Sequence, residues 1–323
     1  MFTKMARDLK VGVIGTGGWG KNHLRVFNEF GVLQCLCDID PERASQWSTK
    51  YGCRAYTDYN EMLEEEKLDA VTVCVPTSLH FEVASRVIAK KVNVFVEKPM
   101  TATGTEGHRL VEQAKEAGVF LTVGFIERFN PAVVDAKNAI KDRVLGEPLL
   151  LEFHRENKWA GRITDVGIVA DTSVHDIDTA RWLFDEEPNL VFARLGNVMT
   201  QTKEDFAAIT LGFGKEKSAF IVSNWVTPKR LRQLTVVCTQ GVISLDFVSQ
   251  EIKFDDPKGT QSPRREFKEP LMAEMEMFLD ALRNGRQPLV KPIDGLNNTI
   301  IAEAALASGH SGTPIYLNLQ KAS

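Results

Sequence analysis

Three side chains in this 323-residue chain have types that together could move a proton and steady a charged oxygen. The run Asp171-Thr172-Ser173-Val174-His175 spaces a carboxylate and an imidazole four residues apart. If the stretch is helical, those two positions share a face. A histidine with an unperturbed pKa of about 6.5 accepts an alcohol proton near neutrality. Asp171 would orient the ring or contact a hydroxyl itself, and Asp176 and Asp178 read as polar-face residues or partners of Arg181. The third group is Lys98 in Glu97-Lys98-Pro99, at the end of an apolar strand pattern. Ligands of open α/β sheets bind outside the carboxyl ends of the strands. An ammonium there favours a developing alkoxide, and Pro99, which is open to the cis form, fixes the backbone beside it. Each group also has a plain structural reading: a lysine opening an exposed loop, or a histidine packed on an amphipathic helix.

The elements that must position these groups start at the other end of the chain. Lys10 to Ile14 reads as a buried strand that breaks into Gly15-Thr16-Gly17-Gly18-Trp19-Gly20 and then a helix from Lys21 to about Phe30. In that context Gly-x-Gly-x-x-Gly is a dinucleotide-binding fingerprint. Gly15 allows the tight turn, Gly17 lets the backbone approach a pyrophosphate, and Gly20 lets helix and strand pack closely. The phosphates would rest on free N–H groups of this loop, with Thr16, Gly18 and Trp19, at the positive end of the helix. The next strand, from Leu33, ends in Asp38, 18 residues after Gly20. The fingerprint expects an acid near there to accept from the adenosine ribose hydroxyls. A carboxylate repels a 2′-phosphate, and the one nearby cation, Arg43, falls in a helix beginning around Pro41, so NAD is expected rather than NADP. Asp40, before Pro41, is the better cap for that helix.

The length suits two domains. A hydrophobic content of 43% and a charged content of 25% describe an ordinary globular protein. The net charge of −4 argues against a nucleic-acid surface. No apolar run approaches the ~20 residues of a membrane span, and Met1 to Arg7 lacks the apolar core of a secretory signal, so the cytoplasm is the expected location. Of the five cysteines, Cys35 and Cys37 lie on the same side of one strand, and Cys53, Cys74 and Cys238 read as small buried hydrophobes; no metal site is expected.

Up to residue 124 strands and helices alternate, which predicts a Rossmann domain with a doubly wound parallel sheet over residues 1–124. From about residue 147 strands follow one another and several alternate polar and apolar residues. That pattern predicts an α+β domain over residues 125–323 with a large open, mainly antiparallel sheet. Helices at 165–184 and 270–284 are expected to cover its inner face, and a last helix at about 295–308 to pack near the first domain.

With these motifs in order, the chain resembles the Gfo/Idh/MocA family of NAD(P)-dependent dehydrogenases. The resemblance rests on Gly15 to Gly20, Val75-Pro76-Thr77-Ser78-Leu79-His80, Glu97-Lys98-Pro99 and Asp171 to Asp178, and so covers nearly the whole chain. It implies Lys98, Asp171 and His175 as the catalytic group, with His175 as proton acceptor. It also implies Pro76, Thr77 and His80 beside the cofactor and Glu97 near the nicotinamide ribose. Family members are usually homodimers or homotetramers that associate through the open sheet face.

Val123 to Pro131 and Gly161 to Gly167 are similar to a subgroup that oxidises the sugar 3-hydroxyl of UDP-N-acetylglucosamine. On that resemblance Arg128, Arg155, Lys158 and Arg162 would flank the domain junction and pair with a nucleotide-sugar pyrophosphate. Asn130 would bond a hydroxyl or N-acetyl group, although Asn before Pro is also an ordinary turn signal. The alternatives are a dehydrogenase of a free sugar or inositol, and a non-catalytic NAD- or sugar-sensing regulator. The presence of Lys98, Asp171 and His175 speaks against the regulator.

Overall fold

Short, mostly apolar strands build the first sheet. The computed structural model describes residues 9–158, 165–200 and 202–319, which fall into two compact units. The first comprises the chain up to Gly124 together with Leu271–Leu296. Its strands are β1 (Val11–Ile14), β2 (Leu33–Cys37), β3 (Arg54–Tyr56), β4 (Ala70–Val73), β5 (Asn93–Val96) and β6 (Leu121–Val123). They pair in parallel in the order β3-β2-β1-β4-β5-β6. β1 and β4 are buried at every position, as strands covered on both faces must be. The helices between them are α1 (Gly20–Glu29), α2 (Pro41–Tyr51), α3 (Tyr59–Glu65), α4 (His80–Ala89) and α5 (Gly104–Ala117). This is the doubly wound order that reverses between β1 and β4, where a crevice opens at the strand ends.

The second unit comprises Phe125–Pro270 and the chain from Asn297 onward. It begins with α6 (Pro131–Lys141) and β7 (Pro148–Glu156). A π-turn, Val169–Ser173, leads into α7 (Val174–Phe184). There follow β8 (Leu190–Gly196), β9 (Phe206–Phe213), β10 (Lys217–Asn224), β11 (Leu231–Cys238), β12 (Gly241–Asp246), β13 (Ile252–Asp256) and β14 (Gly259–Gln261). After α8 (Pro270–Asn284) and α9 (Pro292–Ser311) comes β15 (Ile315–Tyr316). The nine-stranded sheet runs β14-β13-β12-β11-β7-β10-β9-β8-β15. Only β7 and β10 pair in parallel; the other pairings are antiparallel. Burial alternates along β9, as expected for one covered face.

Three readings of the chain need correction. α8 does not cover the second sheet. Its buried stripe Leu271, Met275, Phe278 and Leu279 belongs to the first unit, where Phe278 meets Phe95 edge to face at 5.5 Å. Amphipathic spacing shows that a helix has an apolar side; it carries no information on which sheet that side covers. The second sheet is covered instead by α6, α7 and the later part of α9, through residues such as Val133, Ile177, Leu183 and Ile301. α6 was not anticipated, because Ala-Val-Val-Asp-Ala-Lys offers little contrast between its faces. The last helix is longer than expected and spans the division of the chain: Gly295 sits against Val123 and Met100 in the first unit, and Ile301 to Ala305 join the second core. Finally, Cys53 and Cys74 are only partly buried, unlike Cys35, Cys37 and Cys238.

Candidate active site

In the first unit the glycine loop has the shape a dinucleotide requires. Gly15 has a φ of 85°, and a Cβ there would lie 2.7 Å from the Cys74 backbone. A Cβ on Gly20 would collide with the Gly15 carbonyl. Around Gly17 a Cβ would meet nothing within 4 Å, so this is where the loop offers open space for a phosphate. α1 starts at Gly20 without a side-chain cap or an acid in its first turn. Its N–H groups therefore face that space with the positive end of the helix dipole. These features fit NAD: the loop and helix start would hold the pyrophosphate, and Asp38 the ribose.

Asp38 is 5% exposed. Its Oδ2 accepts from Thr16 N (2.8 Å) and Thr16 Oγ1 (2.7 Å), and its Oδ1 from Asp40 N (3.0 Å) and Arg43 Nη1 (2.9 Å). Burial works to raise the Asp38 carboxyl, but these hydrogen bonds and the Arg43 charge outweigh it and hold the group below its usual value. Asp40 caps α2, accepting from Glu42 N and Arg43 N.

At the end of β5, Glu97 is buried and its Oε1 lies 2.9 Å from His23 Nε2 on α1, while its Oε2 accepts from Lys98 N at 3.2 Å. A Cβ on Gly124 would lie 3.1 Å from Glu97 Oε1, so the glycine leaves the room the carboxylate fills. Lys98 is half-buried, and the Lys98–Pro99 bond is cis. Pro76 is exposed beyond β4, whereas Thr77 and His80 are buried. The two nitrogens of His80 face backbone carbonyls: Nδ1 that of Pro99 at 2.8 Å, Nε2 that of Val75 at 2.9 Å. His80 thus ties the β4 end to the β5 end that carries Lys98.

In the second unit the Asp171–His175 stretch is helical but irregular. Asp171 lies in the π-turn and His175 in the first turn of α7. Between Asp171 and Asp178 these two side chains alone are partly exposed, so exposure recurs at a four-residue interval and they share an outward face. Isolated π-turns occur frequently at functional sites.

Two of the cations expected at a pyrophosphate, Arg128 and Arg155, are paired with buried carboxylates. Arg155, 1% exposed, donates to Asp176 (2.8 Å from Nη2) and to Glu127 (2.9 Å from Nη1). Burial opposes its charge, but Asp176 and Glu127 outweigh burial and hold the guanidinium above its usual value. Arg128, 4% exposed, grips Asp178 at 2.6 and 2.8 Å. Asn130 caps α6 and donates to Glu127 and to the Phe247 carbonyl. Each of the three is tied to carboxylates or a backbone carbonyl of the second unit. Asp178, as one reading had it, also lies near Arg181, at 3.7 Å, whereas Asp176 belongs to Arg155. Lys158 is exposed, and Arg162 lies outside the described residues.

The comparisons with known proteins agree with this geometry. A model described as "Oxidoreductase family, NAD-binding Rossmann fold" matches residues 9–125, and one described as "GFO/IDH/MocA C-terminal domain" matches residues 133–244. The chain belongs to the Gfo/Idh/MocA family. It is 29% identical to a scyllo-inositol 2-dehydrogenase (NAD(+)) of Bacillus subtilis, over 98% of this chain and 99% of that one. It is 27% identical to the UDP-N-acetylglucosamine 3-dehydrogenase of Acidithiobacillus ferrooxidans, over 92% and 95%. A solved structure of the latter superposes with a TM-score of 0.87 at 26% identity, covering 94% of this chain and 98% of that one. As a Gfo/Idh/MocA protein the chain is an NAD(P)-dependent oxidoreductase acting on CH–OH groups, with NAD bound by its Rossmann domain. No helix among the described residues is long and apolar enough to cross a membrane.

Two residues of interest escaped the sequence reading. His23 follows Gly20 by three residues on the buried side of α1, and no motif flagged it. Arg232 stands in register with Arg155 and precedes the buried alternation Leu234, Val236, Cys238, a cation on the covered face of β11. Burial, with Arg155 and Arg230, pulls it down to about 10, and its Nε meets no acceptor among the described residues. That alternation was readable from the sequence.

Proposed function

We propose that this chain oxidises a secondary hydroxyl of a cyclic sugar or polyol, with His175, Lys98 and Asp171 as the catalytic group. His175 takes the hydroxyl proton, Lys98 stabilises the negative charge that builds on the oxygen, and Asp171 orients the imidazole. NAD, which the glycine loop and Asp38 would hold, would supply the two-electron hydride acceptor for the carbon that bears the hydroxyl. The observation that carries this reading is the paired exposure of Asp171 and His175 in a helical stretch that otherwise withholds its side chains from solvent. Removing an essential acid–base group costs roughly a hundred- to ten-thousand-fold in rate. His175→Ala and Lys98→Ala should lose turnover on that scale while NAD still binds and the far-UV spectrum is unchanged. Near-normal turnover in either variant sinks the assigned role.

A second reading narrows the substrate to the 3-hydroxyl of a UDP-N-acetylhexosamine, as the name of the Acidithiobacillus relative suggests. Arg128 and Arg155 no longer support it, since both are neutralised internally. What favours it is Arg232, a cation short of an acceptor, together with exposed Lys158. The inositol relative favours a neutral polyol instead. Assaying UDP-N-acetylglucosamine against inositols and free sugars decides between them, and Arg232→Ala should selectively impair the anionic substrate alone.

A further inference from the structure

The π-turn that carries Asp171 opens a helical run that continues through α7. The first N–H groups of such a run have no acceptor within it, and Ile168, at the cap position, has no side chain that could serve. Glu204, from the turn between β8 and β9, serves in its place. Its carbonyl accepts from Ile168 N at 2.9 Å, and its Oε1 accepts from Val169 N at 3.2 Å. A carboxylate also suits the positive end of the helix dipole. Gly167 keeps the room for it, since a Cβ there would lie 2.1 Å from Glu204 Oε1. Glu204 projects from a fixed point: the next residue, Asp205, donates its N–H to the Gly196 carbonyl at 3.0 Å, and its carboxylate accepts from Val198 N and Thr200 N. At the far end of the turn, Ser173 Oγ bonds Ser223 Oγ of β10 at 3.0 Å. A π-turn is a rare departure from α spacing. Without these outside partners it would relax toward α spacing and turn Asp171 out of phase with His175.

We propose that Glu204 is a positioning residue for the reaction: by capping the π-turn it holds Asp171 and His175 on one face, and Gly167 is a glycine in order to admit it. The proposal rests on the roles given above to Asp171 and His175.

The full-length chain, assayed with NAD and each of scyllo-inositol and UDP-N-acetylglucosamine, tests it. Glu204→Ala should lower kcat by about ten- to a hundredfold, the scale of a misplaced reacting group, while the Kd for NAD, bound in the first unit, stays unchanged. Glu204→Gln, which keeps the acceptor, should restore most of the rate. Gly167→Ala should reproduce the loss with little change in melting temperature, because what gives way is the end of a flexible side chain. Added to Glu204→Ala, it should cost nothing more. The ring NMR signals of His175, assigned by their absence in His175→Ala, should shift in Glu204→Ala and return in Glu204→Gln, whichever substrate is turned over. A normal kcat or an unmoved His175 signal in Glu204→Ala, an equal loss in the Gln and Ala variants, or weakened NAD binding would overturn the proposal. A slow Glu204→Ala beside a near-normal His175→Ala would overturn the role of His175, and the proposal with it.

Discussion

The carboxyl ends of the first sheet and the covered face of the second are both rich in charge, but the charge is held differently. At the first sheet, Asp38 and Glu97 are fixed chiefly by backbone N–H groups, a hydroxyl and a histidine, and the one arginine involved is partly in solvent. On the second sheet, Arg155 stands between Asp176 and Glu127, and Arg128 and Arg181 share Asp178, with all of these side chains at most 9% exposed. Carboxylates held by backbone and a partly exposed cation can exchange a partner for a ligand. Carboxylates chelated by buried guanidinium groups cannot, because each group removed leaves its partner charged and dry. The first arrangement suits a domain that binds NAD; the second ties the core of its unit together.

Removing a scaffold cation should therefore produce a large loss of stability. Arg155→Ala strands Asp176, which is fully buried, and Glu127. Breaking a buried pair in this way costs about 3–5 kcal/mol. Urea unfolding should show that loss, while the affinity for NAD at the first sheet stays unchanged. If Arg155→Ala instead leaves stability intact and raises the KM for a nucleotide sugar, the contrast drawn between the two regions fails.

A smaller effect is expected at Asp205, which closes the turn after β8. This residue is fully buried, and its carboxylate accepts from Val198 N at 2.8 Å, Met199 N at 2.5 Å and Thr200 N at 2.7 Å. Burial acts to raise its pKa, but the three backbone donors outweigh burial and hold it below the usual value. A carboxyl with a lowered folded-state pKa contributes stability that is complete above the unfolded pKa, about 3.9, and is lost as pH falls through the folded value. Asp205→Asn should cost about 2 kcal/mol at neutral pH and should flatten the loss of stability below about pH 4. Melting temperatures of both proteins across pH 2 to 7 check this; parallel curves would remove Asp205 from the account.

The same contrast explains what could be read from the chain alone. The Rossmann order was legible because its signals are local: apolar runs, glycines at fixed offsets, and Asp40 before Pro41. The shared face of Asp171 and His175 was legible from helical spacing, although the π-turn was not, since no residue type marks one. Not legible were the facts that depend on pairing across long separations. Arg155 and Asp176 are 21 residues apart and Arg128 and Asp178 are 50 apart, so a cation that serves the core looks in sequence like one that serves a ligand. The assignment of α8 failed for the same reason, because Phe278 finds Phe95 across most of the chain.

The smallest expected change in stability belongs to Gly17, and it sharpens the idea of a site as space kept open. Gly15 and Gly20 are needed by the fold, since a Cβ at either runs into backbone. Gly17 is not: a Cβ there touches nothing within 4 Å. Gly17→Ala should leave unfolding within about 0.5 kcal/mol of the parent, as for a surface substitution that makes no new contact. The added methyl would instead stand where the pyrophosphate approaches, and overpacking costs about 1–3 kcal/mol, or roughly 5- to 150-fold in the Kd for NAD. A variant that binds NAD normally would mean the phosphates lie elsewhere along the loop. One that unfolds early would mean that Gly17, like its neighbours, is there for the backbone.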